Sequence, residues 1–145
     1  MANIFDTAAY ILEKTGATSF MKLQKLCYYC QAWSLVWDDK PLFDEEFRAW
    51  ESGTVCEELY HETEGGVGEV SGSIVDGIGF SANLTDEQKD TINHVLDYYG
   101  DKTPYWLMML TRMEEPWKEA KGKGNDSKTA NIITKESMAM YYGSL

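Results

Sequence analysis

The stretch from Ser19 to Trp37 constrains this chain more than any other. Its apolar residues Phe20, Leu23, Leu26, Cys27, Cys30, Trp33 and Trp37 recur at three- and four-residue spacing, the period of a helix. Met21, Tyr28, Tyr29, Ala32, Leu35 and Val36 fill most of the remaining circumference. A helix that is apolar nearly all round must be covered on several sides by the rest of the chain. The sequence therefore predicts a domain assembled around one central helix. Gln24 and Lys25 interrupt that apolar surface, and buried polar groups need partners. Both are expected to be paired inside the fold, with Glu57, Glu114 and Tyr60 as candidate partners.

The other elements are read from their ends. Asp6 can cap a first short helix to about Lys14, closed by Gly16. Pro41 stops the central helix. Leu42-Phe43 and Phe47-Arg48-Ala49-Trp50, joined by Asp44-Glu45-Glu46, read as a small hairpin, although a single helical turn fits nearly as well. Gly53 supplies a turn, and Thr54 with Glu57 forms a capping box for a helix through Tyr60. The Gly-rich span from Glu62 to Ala82 is expected to be an exposed excursion. Thr85 and Gln88 form a second capping box, for a helix carrying Ile92, Val95, Leu96 and Tyr99 and closed by Gly100. Thr103-Pro104 opens a dense apolar helix from Tyr105 to about Met113, and Pro116-Trp117 breaks it. Residues 118–131 form a polar linker, and a last helix from Thr134 places Met138, Tyr141 and Tyr142 on one side. The fold class is mainly α (α+β), a single compact helical domain over residues 1–145 with a small β-hairpin.

Charge narrows the function. The formal net charge is −11. A chain this acidic repels a phosphate backbone, which argues against direct nucleic-acid binding and suits a basic protein partner. Eleven acidic residues lie between Asp38 and Glu69, opposed only by Lys40 and Arg48. Such a run can be simply a solvated face. Here the carboxylates interleave with Phe43, Phe47, Trp50, Val55 and Tyr60, the composition of an interface with a desolvated centre and a polar rim. Phe47, Trp50, Glu51, Glu57, Glu58 and Tyr60 are the candidate partner-binding residues. From Lys118 to Lys135 the balance reverses, with five Lys against Glu119 and Asp126.

Candidate chemistry is sparse. Cys27 and Cys30 form a C-x-x-C that Cys56 and His61 could complete as a zinc set, but both sit on the apolar seam of a helix, where a thiol is a small hydrophobe. Gly65-Gly66-Val67-Gly68 lacks the Lys of a phosphate loop and is flanked by Glu62, Glu64 and Glu69. His61 and His94 have no nucleophile nearby in the sequence. Lys25, Arg112 and Glu114 suggest a partly buried structural network rather than acid and base. No metal, cofactor or catalytic residue is expected. No apolar run reaches the ~20 residues of a membrane span. The start, Met1-Ala2-Asn3-Ile4-Phe5-Asp6, has no basic residue or continuous apolar core of a secretory signal, so a cytoplasmic protein with reduced thiols is expected.

Taken as a set, the residues carry a resemblance. Leu23-Gln24-Lys25-Leu26, Tyr28-Tyr29 and Gln31-Ala32-Trp33 are followed by Pro41-Leu42-Phe43, by Phe47 with Ala49-Trp50, and by Gly53, Val55 and Leu59-Tyr60. Tyr99-Gly100, then Thr111, Glu114 and Pro116-Trp117, then Met138 and Tyr141-Tyr142 complete the order. The chain resembles the Panacea domain family, the SocA-like antitoxins related to phage-associated GepA proteins. Lys25, Tyr28, Gly53, Val55, Thr111, Glu114 and Trp117 are then residues of the structural motif. Two positions depart from the family pattern. Thr54 stands where Pro is usual, and Thr is expected to cap the helix that Pro would have begun. Arg112 stands where His is usual.

The resemblance implies an antitoxin that neutralises a cognate toxin by direct, stoichiometric protein–protein binding. Such proteins are often encoded in prophages, and one branch is implicated as a proteolysis adaptor. The rival readings are a phage-encoded inhibitor of a host defence protein, its acidic surface blocking a nucleic-acid groove, and a hydrolase using Lys25 and Glu114.

Overall fold

The computed structural model describes residues 2–62, 68–122 and 131–145. The central helix is α2 (Phe20–Trp37), and Ser19 caps it by accepting from Lys22 N–H. Twelve of its residues are buried, Gln24 and Lys25 among them. Around it pack α1 (Ile4–Thr15), α4 (Asp86–Tyr99), α5 (Pro104–Met113) and α7 (Lys135–Gly143). Covering by elements on several sides is what its apolar circumference required, and only its C-terminal end, at Trp37, stays substantially exposed.

Two short helices and two small sheets complete the architecture. α3 (Glu57–Glu62) and α6 (Glu115–Lys121) flank an antiparallel sheet of order β3-β2-β5, made of Gly53–Val55, Phe47–Trp50 and Ile132–Ile133. A second, two-stranded pairing joins β1 (Thr18–Ser19) to β4 (Glu69–Val70). The fold is mainly α with a small antiparallel β component, as the sequence predicts.

Several local expectations change. The cap of α1 is Asn3, whose side chain accepts from Asp6 N–H while the Asp6 carboxylate accepts from Asn3 N–H. Asp6 is therefore the return arm of the capping box, and it also accepts from Phe80 N–H and Asn83 Nδ2. The hairpin lies one segment later than expected, pairing Phe47–Trp50 with Gly53–Val55. Leu42-Phe43 is not a strand. Its backbone N–H groups donate to Gln31 Oε1, and Phe43 O accepts from Gln31 Nε2.

Thr54 is a residue of β3, not a cap, and among the described residues its buried Oγ1 has no hydrogen-bond partner. Ala49, opposite Thr54, donates its N–H to Asn131 O at 2.8 Å on the far side of β2. The Ala49–Thr54 pair is thus of the non-hydrogen-bonded kind, and Thr54 N–H points out of the ladder on an edge strand. A Pro there would lose no sheet bond, which is a backbone reason why either residue fits.

The expected excursion is only partly one. Residues 63–67 lie outside the described residues, but Val70 and Val75 are buried and the segment after β4 packs on α1 through two 3-10 turns. The expected linker begins later, because Lys118–Lys121 are the last turn of α6. Pro116 follows the C-cap of α5, which ends at Met113 as expected, and it also sits in the first turn of a new helix, α6, where its missing N–H costs nothing. Residues 123–130 of the linker lie outside the described residues.

Candidate functional site

The motif residues converge where the N-terminal half of α2 meets β3 and α5. Gln24 clamps the β3–α3 junction, its Nε2 donating to Cys56 O at 3.0 Å and its Oε1 accepting from Cys56 N–H at 2.8 Å. This satisfies the pairing expected of Gln24, with a backbone partner instead of Glu57, Glu114 or Tyr60. Lys25 behaves differently. It is 1% exposed, and among the described residues it has no hydrogen bond or ion pair, least of all with the three expected partners. Burial alone pulls its ammonium down from 10.5 to about 7.

Gly53 explains how that side chain is accommodated. Its φ is +102°, and a Cβ there would stand 2.8 Å from both Lys25 Cε and Thr111 Oγ1. Only glycine tolerates both the dihedral and the approach. Thr111 is itself buried, its hydroxyl turned back to Met108 O at 2.8 Å. Val55 is also in the core at 3% exposure.

One turn further along α2 the second buried charge is fully answered. Glu114 Oε1 accepts from Tyr29 OH and Tyr142 OH, each at 2.7 Å, and Tyr28 OH lies 3.1 Å from Tyr142 OH. Burial pushes the Glu114 carboxyl up, partly offset by the two phenols. Tyr29 also stacks on Tyr99 with ring centroids 4.1 Å apart, and Tyr28 meets Phe47 edge-on. Trp117 donates its indole N–H to Trp50 O at 2.9 Å and carries the Arg112 guanidinium over its ring. Arg112, standing where the family tends to have His, thus makes a packing contact on Trp117.

The expected docking surface is divided by the structure. Phe47 is 1% exposed and belongs to the core, because β2 turns its side chain inward against Tyr28 and Phe43. Trp50 and Tyr60 are half-buried and meet edge-on at 5.0 Å. Glu51 and Glu58 are exposed. Two of the carboxylates already have partners in the chain. Glu51 lies 3.1 Å from Lys121 and 3.9 Å from Arg112, and its hydrogen bond to Lys121 lowers its pKa. Glu57 pairs with Arg48 and lies 3.9 Å from His61.

A larger concavity opens at the other end of α2, and the sequence reading missed it. It has a volume of about 980 Å³ and is walled by Trp33 and Trp37 of α2, His94, Tyr98 and Tyr99 of α4, and Trp106 and Leu110 of α5. Its charged lining is Asp38, Glu87, Asp90 and Glu114, with no Lys or Arg among the described lining residues. Trp37, Tyr98 and Trp106 are 51%, 61% and 41% exposed. Helical periodicity marks Trp33 and Trp37 as apolar but cannot say whether a neighbour covers them. Large exposed aromatics clustered on one face mark an interaction site.

The thiols do not assemble into a site. Cys27, Cys30 and Cys56 are free and buried, and burial raises each thiol, Cys56 to about 12. A metal-ligating thiolate needs the opposite shift. Among the described residues no group of three or more His, Cys, Asp and Glu could hold a metal ion. No described helix is long and apolar enough to cross a membrane.

The antitoxin SocA-like, Panacea domain family matches residues 23–118, about two thirds of the chain. The chain belongs to this family. The matched span runs from the start of the α2 motif through α6, so it contains the Lys25–Gly53–Thr111 junction, Glu114, the hairpin and the aromatic walls of the groove. The Panacea match does not reach α1, β5 or α7, although Tyr142 of α7 supplies one of the two phenols on Glu114. No characterised protein and no solved structure matches the chain.

Proposed function

We propose that this Panacea domain neutralises a cognate toxin in the cytoplasm by binding it directly and stoichiometrically, and that the toxin is basic. Membership of the antitoxin-like family carries the reading. The charge of the chain supports it, because a net −11 steers a cationic protein toward its surface. Trp50, Glu51, Glu57, Glu58 and Tyr60 remain the proposed contact residues of the hairpin face. Phe47 acts from beneath, as the core residue on which β2 rests. The ion pairs of Glu51, whose side chain is 77% exposed, can exchange partners at little cost, since such pairs are worth about 0–1 kcal/mol, whereas the Arg48–Glu57 pair is half-buried and gives up more when broken.

The purified chain, mixed with the product of a gene adjacent to its own that proves toxic when expressed alone, should form a complex of fixed stoichiometry that weakens with salt. Glu57→Lys combined with Glu58→Lys should weaken it further while circular dichroism stays unchanged. Glu58→Lys alone separates the exposed charge from the Arg48–Glu57 pair, because Glu58 is exposed and among the described residues its side chain has the Cys56 thiol as its one polar contact. Normal binding by the double variant at both low and high salt would remove the hairpin face from the interface. Failure of the wild-type chain to bind would remove the toxin reading itself.

A further inference from the structure

The groove at the C-terminal end of α2 combines two features that rarely coincide by accident. Its walls are aromatic rings, and among the described lining residues every Asp, Glu, Lys or Arg side chain is acidic. We infer that this groove receives a lysine- or arginine-bearing amphipathic segment of the protein partner, with the cation seated among Trp37, Tyr98 and Trp106 and its apolar neighbours on Val95 and Leu110.

Three observations carry the inference. First, the chain already places a cation on these rings. Lys102 Nζ lies 5.2 Å from the Trp106 ring centre and 5.6 Å from that of Tyr98, the geometry of a cation–π contact. Second, two carboxylates of the lining, Glu87 and Asp90, are less committed than Glu51 and Glu57 of the hairpin face. Glu87 meets Lys40 only at 3.9 Å with both side chains more than 60% exposed, and Asp90 has no ion pair among the described residues. Asp38 is held in place by Thr91 Oγ1 at 2.6 Å, which fixes one carboxylate at the lip. Third, about 980 Å³ is at the upper end of ligand-pocket size, too large for one ammonium group and suited to several consecutive side chains.

Charge selects among occupants. Nucleic acid would bring phosphates against four carboxylates, and a second copy would bring another acidic rim, so a cationic peptide segment is the complementary one. The inference rests on the reading of this chain as a partner-binding protein. Its test does not need the toxin. A phage-displayed library of random dodecapeptides is selected on the immobilised wild-type chain, and the recovered peptides are synthesised and titrated.

The recovered peptides should be enriched in Lys and Arg beside Leu or aromatic residues. Their affinity should fall at least ~10-fold on the Trp37→Ala/Trp106→Ala variant, as expected for aromatic anchors, and should fall with added salt. Both tryptophans are substantially exposed, so the variant should keep its fold by circular dichroism. Recovery of acidic or uncharged peptides, recovery of none, or equal binding by the folded variant would overturn the inference. So would concentration-dependent dimerisation of the wild-type chain that the variant abolishes, because the groove would then be a self-interface. Peptides that bind the groove in a chain that binds no toxin would leave the groove and remove the neutralisation reading.

Discussion

At its N-terminal end α2 is sealed, with Gln24 clamped to Cys56 and Lys25 closed over by Gly53 and Thr111. At its C-terminal end Trp33 and Trp37 open into a groove lined by carboxylates. The same kind of apolar helix surface is thus used in two ways. Where β3 and α5 cover it, Gln24 is paired with backbone and Lys25 is buried with its proton held less tightly. Where Trp37 joins Tyr98 and Trp106 around the groove, aromatic area and carboxylates face the opening. The difference separates architecture from recognition, and each side can be broken separately.

The largest effect should come from the sealed side. Glu114→Ala leaves the Tyr29 hydroxyl buried without its acceptor and leaves Tyr142 OH with Tyr28 OH alone. At roughly 1–3 kcal/mol for the unsatisfied hydroxyl, with a further loss for the truncated buried side chain, a loss of about 2–5 kcal/mol is expected in urea unfolding. Glu114→Gln keeps an acceptor oxygen and should retain most of the stability.

Lys25→Met should act in the opposite direction. The folded chain holds the lysine proton less tightly than the unfolded chain, with a value of about 7 against 10.5. Wild-type stability from this group therefore rises with pH between those values, and the burial penalty is complete below about 7. Removing the amine should stabilise the protein by on the order of 2–4 kcal/mol at pH 6, a gain that shrinks as pH climbs toward 10.5. Melting curves for both proteins across that range check it. A lysine paired as the sequence suggests would give a loss instead.

The smallest effect on stability belongs to the open side. Trp37 is 51% exposed, so Trp37→Ala should cost less than ~1 kcal/mol in the same unfolding experiment. A larger loss would mean that the groove wall is part of the core.

The sequence made the long elements legible through their ends. Ser19, Thr85 with Gln88, Thr103-Pro104 and Thr134 each accept the backbone bond that a cap requires, so α2, α4, α5 and α7 begin where local chemistry places them. The short strands were not legible, because β1, β4 and β5 are two residues long and exist only through partners far away in the chain. Leu42-Phe43 looked like a strand because it is apolar and extended, yet Gln31 holds it. Pro116 is legible as the stop after α5, but its place in the first turn of α6 is not visible until that helix start is known. The family resemblance marks Lys25, Gly53 and Thr111 as motif residues, but it does not show that the lysine has no ion pair among the described residues. The groove was illegible for a similar reason: periodicity records which side chains are apolar, and coverage is a property of the packed chain.

The central claim is that this Panacea domain works by binding, with its motif lysine serving the fold. Growth rescue tests it most directly, in cells expressing a gene adjacent to this chain's own that is toxic when expressed alone. The account predicts that the wild-type chain and a folded Lys25→Met variant restore growth equally. A wild-type chain that leaves toxicity undiminished, or a folded Lys25→Met variant that fails where wild type succeeds, would contradict it.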